Sequence, residues 1–188
     1  MILVLTTPRT ASTHLCTQIA HEYGYENLGE YFGDSLTIED QLDKLDYLKN
    51  NPDCVVKAFP WQIKSTGIKY PKLLSLPKTL YGLSEKTIFL IRRDFNAQCR
   101  SYYIGKISKH WGGEPKELEH IILNDNYYQS AVSELIIGYK HILSWYQSAD
   151  NAQVIYTESI ATDGKYVRPV VWDRDPPTLE FDPVKLFS

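Results

Sequence analysis

Two short stretches of this 188-residue chain place charged and hydroxyl side chains where a plain connection needs neither. The first, Thr6-Thr7-Pro8-Arg9-Thr10-Ala11-Ser12-Thr13, directly follows an apolar run at residues 2–5. It sets a guanidinium and several hydroxyls where a strand would hand over to a helix. N–H groups at a helix N-terminus lack partners within the helix and point into the preceding turn. With the helix dipole they form an anion site. Thr10, Ser12 and Thr13 can add hydroxyl donors, and Arg9 a charged planar fork. The second stretch, Ile88-Phe89-Leu90-Ile91-Arg92-Arg93-Asp94, repeats the plan, with Ser101 further along the helix that would follow. Asp94 is placed to cap that helix.

Each turn alone also fits a plain reading: a capped helix with a solvated arginine, or a surface ion-pair cluster. Two strand ends that close in arginine with hydroxyls behind them point instead to one ligand with two anionic groups. The carboxyl ends of strands in open α/β sheets are where such a ligand binds. The first turn is not a Walker A loop, because the glycines and the lysine of GxxxxGK[ST] are missing. No acidic strand end stands out to hold a metal, so a metal-dependent ATP or GTP site is disfavoured and no metal is expected.

Both turns need strands and helices in alternation. Strands are predicted at residues 2–6, 54–59, 87–91 and 153–156, and helices at 12–23, from Thr37 to about 50, at 95–107 and at 126–148. Gly24 ends the first helix. Thr37 with Asp40 reads as a capping box for the second. Residues 61–83 are ambiguous, broken by Pro71 and Pro77. The alternation implies an α/β fold with a parallel sheet.

Composition is ordinary for a globular chain: 43% hydrophobic, 23% charged, net charge −3. The acidic balance argues against broad nucleic-acid binding. No stretch approaches a membrane span. Cys16, Cys54 and Cys99 show no metal-ligand spacing and read as free thiols of a reducing compartment. Burial is the expected role, although Cys16 and Cys99 follow the two turns and are open to a redox reading. A soluble cytoplasmic protein is expected.

Taken in order, these residues resemble the sulfotransferases that use 3′-phosphoadenosine 5′-phosphosulfate (PAPS). Pro8 to Thr13 is similar to the family's 5′-phosphosulfate loop, commonly P-[KR]-[ST]-G-[ST]-T. Arg93 with Ser101 eight positions later, running on into Tyr102-Tyr103, resembles the pair that holds the 3′-phosphate. Val55-Val56-Lys57 resembles the strand that presents a lysine near the transferring group. Tyr156-Thr157-Glu158 resembles the late segment near the nucleotide. Leu28-Gly29-Glu30-Tyr31-Phe32 resembles the Glu-containing loop of small bacterial sugar-type members. The likeness spans roughly residues 1–160.

The resemblance implies a P-loop-like three-layer α/β fold, a parallel β-sheet flanked by helices, in one domain over residues 1–188 with an irregular tail at 165–188. It implies metal-independent, in-line transfer of a sulfuryl group from PAPS to a hydroxyl of a sugar or small molecule, releasing the bisphosphate PAP. Arg9, Thr10, Ala11, Ser12, Thr13, Arg93, Ser101 and Tyr156 would hold the nucleotide. Arg9 and Lys57 would stabilise charge on the leaving phosphate. Glu30 is the first choice of base, in a glycine- and aromatic-rich loop where partial burial would raise its pKa. A solvated loop acid is its plain reading. His14 is the second choice, with helix packing or cofactor contact as its plain reading. Trp61, Tyr102, Tyr103 and His110 beside Trp111 offer rings suited to an acceptor, though such rings more often pack a core.

The chain departs from the family at three places. Ala11 replaces a usual Gly, Phe59 stands where small-molecule members place a His, and the basic C-terminal loop has only Lys165 and Arg168 as substitutes. The alternatives are a P-loop-like nucleotide or nucleoside kinase and a catalytically degenerate PAP-binding module.

Overall fold

In the computed structural model, residues 1–33, 37–62, 76–109, 111, 120–160 and 171–187 are described. His110, Lys165 and Arg168 lie outside them. The strands are β1 (Ile2–Thr6), β2 (Glu26–Glu30), β3 (Cys54–Ala58), β4 (Lys86–Ile91), β5 (His120–Ile121), β6 (Ala152–Tyr156) and β7 (Val171–Trp172). The helices are α1 (Ser12–Tyr23), α2 (Ile38–Asn50), α3 (Leu76–Leu83), α4 (Phe95–Ser108) and α5 (Asp125–Tyr146). Five strands form a parallel sheet in the order β2-β3-β1-β4-β6, and β5 pairs with β7 apart from it. This is an α/β fold with helices on both faces.

The apolar runs are continuous because both faces are covered. Along β1, Ile2 and Val4 join a cluster with Leu15, Cys16 and Ile19 of α1. Leu3 and Leu5 face the other way, into a core shared with Phe95 and Cys99 of α4 and Leu135 and Tyr139 of α5. Alternate side chains of one strand thus glue two helical layers to one sheet. Gly24 ends α1 at φ 69°, and the predicted box forms at α2: Asp40 N donates to Thr37 Oγ1 and Thr37 N to Asp40 Oδ2.

Strand order decides where a ligand can sit. From β1 the chain departs toward β3 and β2; from β4 it departs toward β6. The opening between the carboxyl ends of β1 and β4 is therefore the topological switch point. Both arginine turns follow those two strands, and Thr6 Oγ1 donates to Leu90 O across them at 2.9 Å.

β2 is the strand that no apolar run announces. Its sequence ENLGE lies at the sheet edge, largely in solvent, with a register shift between Asn27 and Gly29. Gly29 supplies the φ of 58° there. An edge strand with one partner needs little apolar surface, so pattern alone missed it.

The tail docks onto the helices. Leu179 N donates to Asn96 Oδ1 at 2.8 Å, Asn96 Nδ2 donates back to Leu179 O at 3.3 Å, and the Phe181 ring lies 4.6 Å from that of Phe95. All three cysteines are buried and free, and burial pushes the Cys16 and Cys99 thiols up to about 12. Thiols held protonated in this way are poor nucleophiles, which supports packing over redox sensing. Among the described residues no helix is long and apolar enough to cross a membrane.

Candidate functional site

The first turn is strained and held from within. Arg9 and Ala11 both adopt left-handed backbone, at φ 65° and 57°. For a residue with a Cβ this region costs about 1–2 kcal/mol. Thr6, Thr7 and Thr10 beneath the turn are fully buried. The Thr6 and Thr10 hydroxyls meet at 2.6 Å, and Thr10 Oγ1 donates to Thr7 O at 3.0 Å. Thr157 Oγ1 donates to Thr10 O at 2.9 Å. Thr10 thus spends its hydroxyl on the turn itself, and is not the hydroxyl donor to a ligand that the sequence suggested.

The strain has a visible consequence. Ala11 occupies the cap position of α1, and no side chain caps the helix. The first-turn N–H groups that a Ser or Asp would usually satisfy face the switch point instead. Ala11→Gly removes the left-handed strain but frees the unfolded chain, so the expected net is a gain of ~0.5–1 kcal/mol. A urea melt checks this, and a lower midpoint than wild type would contradict the strained turn.

On one side of the turn stand Lys57 and Glu30. Register pairs Lys57 of β3 with Val4 of β1 and with Glu30 of β2. Lys57 is 4% exposed. Its Nζ lies 2.9 Å from Glu30 Oε1 and donates to Thr13 Oγ1 at 3.0 Å. Thr13 accepts there, so its own O–H stays available to a ligand. Gln62 Nε2 donates to Glu30 Oε2 at 3.4 Å, and Gln62 is held by Phe59 N, which donates to its Oε1 at 2.9 Å. Glu30 is therefore not enclosed by an aromatic loop. Its side chain is 47% exposed, at a strand end, ion-paired on one side and open to water on the other.

On the other side the arginines gather. Arg9 Nε donates to Ser101 Oγ at 2.7 Å and its Nη1 to Trp111 O at 3.0 Å. Arg92 Nη1 donates to Arg9 O at 3.0 Å. Burial, then the Arg92 charge, lowers the pKa of Arg9 from the usual arginine value. Among the described residues, none of Arg9, Arg92 and Arg93 forms an ion pair with a carboxylate. Three guanidiniums gather at one strand junction; the Glu158 and Asp94 carboxylates offset part of the charge at Arg93, while Arg9 and Arg92 leave a local positive field suited to an anion.

Arg93 is exposed, with its guanidinium 4.1 Å from the centre of the Tyr156 ring. The β4–β6 register, Ile91 beside Tyr156, brings them together. Glu158 accepts from Arg93 N at 3.2 Å and Asp94 N at 3.1 Å, and Asp94 caps α4 by accepting from Ala97 N at 2.9 Å. The turn that carries Arg93 is thereby fixed, but its N–H groups go to the protein's own carboxylates, so it does not repeat the uncapped first turn and offers an anion only the Arg93 side chain.

Most of the residues singled out in the sequence converge here: Arg9, Ala11, Ser12, Thr13, Lys57 and Glu30 around one turn, Arg93 and Tyr156 at the next. Ser101 reaches across to Arg9. His14 instead lines a shallow recess on the outer face of α1, with Thr17, Gln18, His21 and Glu22. Tyr102 and Tyr103 are buried in the core, and Trp61 stacks near Phe59 with ring centres 5.2 Å apart. Sequence reasoning missed Gln62 and Gln98. Gln98 is fully buried on α4 beside Phe95, Cys99 and Tyr102, and an amide on an apolar face was the available signal.

No family model matches the chain, and no curated protein matches it in sequence. Solved structures do match its fold. The YorR protein of Bacillus subtilis, solved in complex with phosphorylated GDP, aligns with a TM-score of 0.52 at 9% identity, covering 85% of this chain and 87% of that one. The fold is P-loop-like. A gluconokinase from Sinorhizobium meliloti 1021 aligns with a TM-score of 0.42 at 11% identity, over 85% of this chain and 83% of that one. At such identities the likeness concerns the fold alone.

Proposed function

We propose that this chain moves a sulfuryl group from PAPS to a hydroxyl of a sugar or small-molecule acceptor. The observation that carries the reading is the buried Lys57 ammonium, 3.0 Å from Thr13 in the anion turn and 2.9 Å from Glu30. A cation for the leaving phosphate and a carboxylate for the acceptor proton stand side by side at the uncapped start of α1.

In the transfer, the bond from sulfur to the phosphate oxygen breaks as the acceptor oxygen bonds to sulfur. Charge grows on the departing phosphate. Lys57 and the N–H groups at the start of α1 would meet that charge, with the Arg9 guanidinium, held by Ser101 and Trp111 on the far side of the turn, adding its field, and one such donor is typically worth ~3 kcal/mol. Glu30 takes the acceptor proton, in place of the His that Phe59 replaces. Arg93, with Tyr156 beneath it, receives the 3′-phosphate.

The deciding experiment is transfer of labelled sulfate from PAPS to pooled hydroxyl acceptors, run beside a thermal shift with PAP. PAP should raise the melting temperature well above the effect of AMP, and Arg93→Ala should bring the two shifts together. Equal shifts in the wild type would remove the second anion pocket. Binding without transfer to any pool would leave a PAP-binding module.

A second reading has the fold comparison on its side: YorR holds a phosphorylated guanosine nucleotide, which favours a nucleotide or nucleoside kinase over sulfuryl transfer. Against it, the cation beside this turn comes from β3 and not from the loop lysine of a Walker motif. Magnesium-dependent phosphoryl transfer from ATP, with no transfer from PAPS, would establish the kinase.

A further inference from the structure

A buried chain of hydrogen bonds joins the two arginine turns. Gln98 Nε2 donates to Thr7 Oγ1 and to Pro8 O, both at 2.7 Å. Gln98 Oε1 accepts from Tyr139 OH at 2.6 Å, and Tyr139 OH accepts from Arg92 N at 3.3 Å. Thr7, Gln98 and Tyr139 are all fully buried. We propose that Gln98 and Tyr139 are positioning residues that set the spacing of the two anion pockets, and so select ligands with a phosphate at each end. The inference rests on the reading of the site as a clasp for PAPS and PAP.

The direction of the chain is fixed by its ends. Pro8 O can only accept and Arg92 N can only donate, so the amide and the hydroxyl between them have one consistent orientation. A fully satisfied buried network of this kind is rigid. Packing alone does not ask for it: the other large side chains on this face of α4 are Phe95, Tyr102 and Tyr103, and a leucine would fill the place without an amide to satisfy. The helix carrying Tyr139 is also held close to the first turn. A Cβ on Gly138 would come within 2.9 Å of Thr7 Cγ2, so the missing side chain sets the approach. The β1–β4 pairing ends at Thr6 and Leu90, and beyond it Arg92 Nη1 to Arg9 O and Thr157 Oγ1 to Thr10 O also tie the first turn to its neighbours, but neither holds the Pro8 carbonyl or the Arg92 N–H that Gln98 and Tyr139 join.

Fixed spacing matters only to a ligand that spans both pockets. Such a ligand binds its second phosphate within the molecule, at high effective concentration, and loses that gain when the span no longer fits. A ligand with one phosphate uses one pocket and is indifferent to the distance.

The test is calorimetric titration of wild type, Gln98→Leu and Tyr139→Phe with PAP, adenosine 5′-monophosphate and adenosine 3′-monophosphate. In each variant PAP affinity should fall about 10- to 100-fold, while both monophosphates change by less than about threefold. A merely structural role would weaken all three ligands in parallel, and that result overturns the proposal, as does an unchanged ratio. If Gln98→Leu does not fold, Tyr139→Phe decides, since it removes one oxygen and cuts the chain at the Arg92 end. A wild type that binds PAP no better than the monophosphates overturns the two-pocket reading itself, whatever the variants do.

Discussion

Lys57→Met should slow sulfuryl transfer ~10²- to 10³-fold, the loss seen when one preorganised donor is taken from a developing oxyanion. Methionine fills nearly the same apolar volume on β3 and removes only the charge. Stability should change little, for a reason of asymmetry. Breaking a buried ion pair is damaging when it strands a buried charge. Here the buried partner is the one removed, and Glu30, 47% exposed, is left with water. Turnover at saturating PAPS, measured beside a urea melt, separates the two effects. Turnover within tenfold of wild type, in a folded variant, would remove Lys57 from the chemistry.

Glu30→Gln carries the second large effect. The amide can still accept from Lys57, so the anion turn and PAP affinity should be preserved. It cannot take a proton from the acceptor, and transfer should fall ~10²- to 10⁴-fold. The pair of measurements is PAP titration and labelled transfer on the same preparation. Unchanged turnover clears Glu30 of the base role and leaves His14, on the outer side of α1, to be examined next. A parallel loss of PAP binding would instead make Glu30 a brace for Lys57.

The two variants differ in which partner of one ion pair they alter, and that pair is a product of register. Nothing local links residue 30 to residue 57. Parallel pairing of β2 with β3 sets them opposite each other, and an edge strand as polar as ENLGE gave pattern reading little to work with. The expectation of a glycine- and aromatic-rich loop around Glu30 followed from that missing strand. Its half-exposed, ion-paired state follows from the strand end where it sits.

Much else was legible, because it depends on neighbours in the chain. Continuous apolar runs marked β1, β3 and β4, since a strand covered on both faces has no polar side to show. Gly24, the Thr37–Asp40 box and Asp94 marked helix ends by their backbone chemistry. Arginines and hydroxyls after two strands marked the two turns that the structure sets side by side, because helix N-termini are where such groups collect.

Local sequence thus determined most of the elements, β2 and α3 excepted, and the chemical character of the first turn. Tertiary structure decided how those turns meet: strand order 2-3-1-4-6 put β1 beside β4 and so set both arginine turns at one opening. It also decided that Ser101 reaches Arg9, that Tyr156 lies under Arg93, and that a lone buried amide on α4 bridges the turns. Hydrogen bonds within a turn or a helix end act over a few residues, so composition and spacing report them. Contacts across a sheet join residues far apart in the chain, and only the folded arrangement brings them within bonding distance.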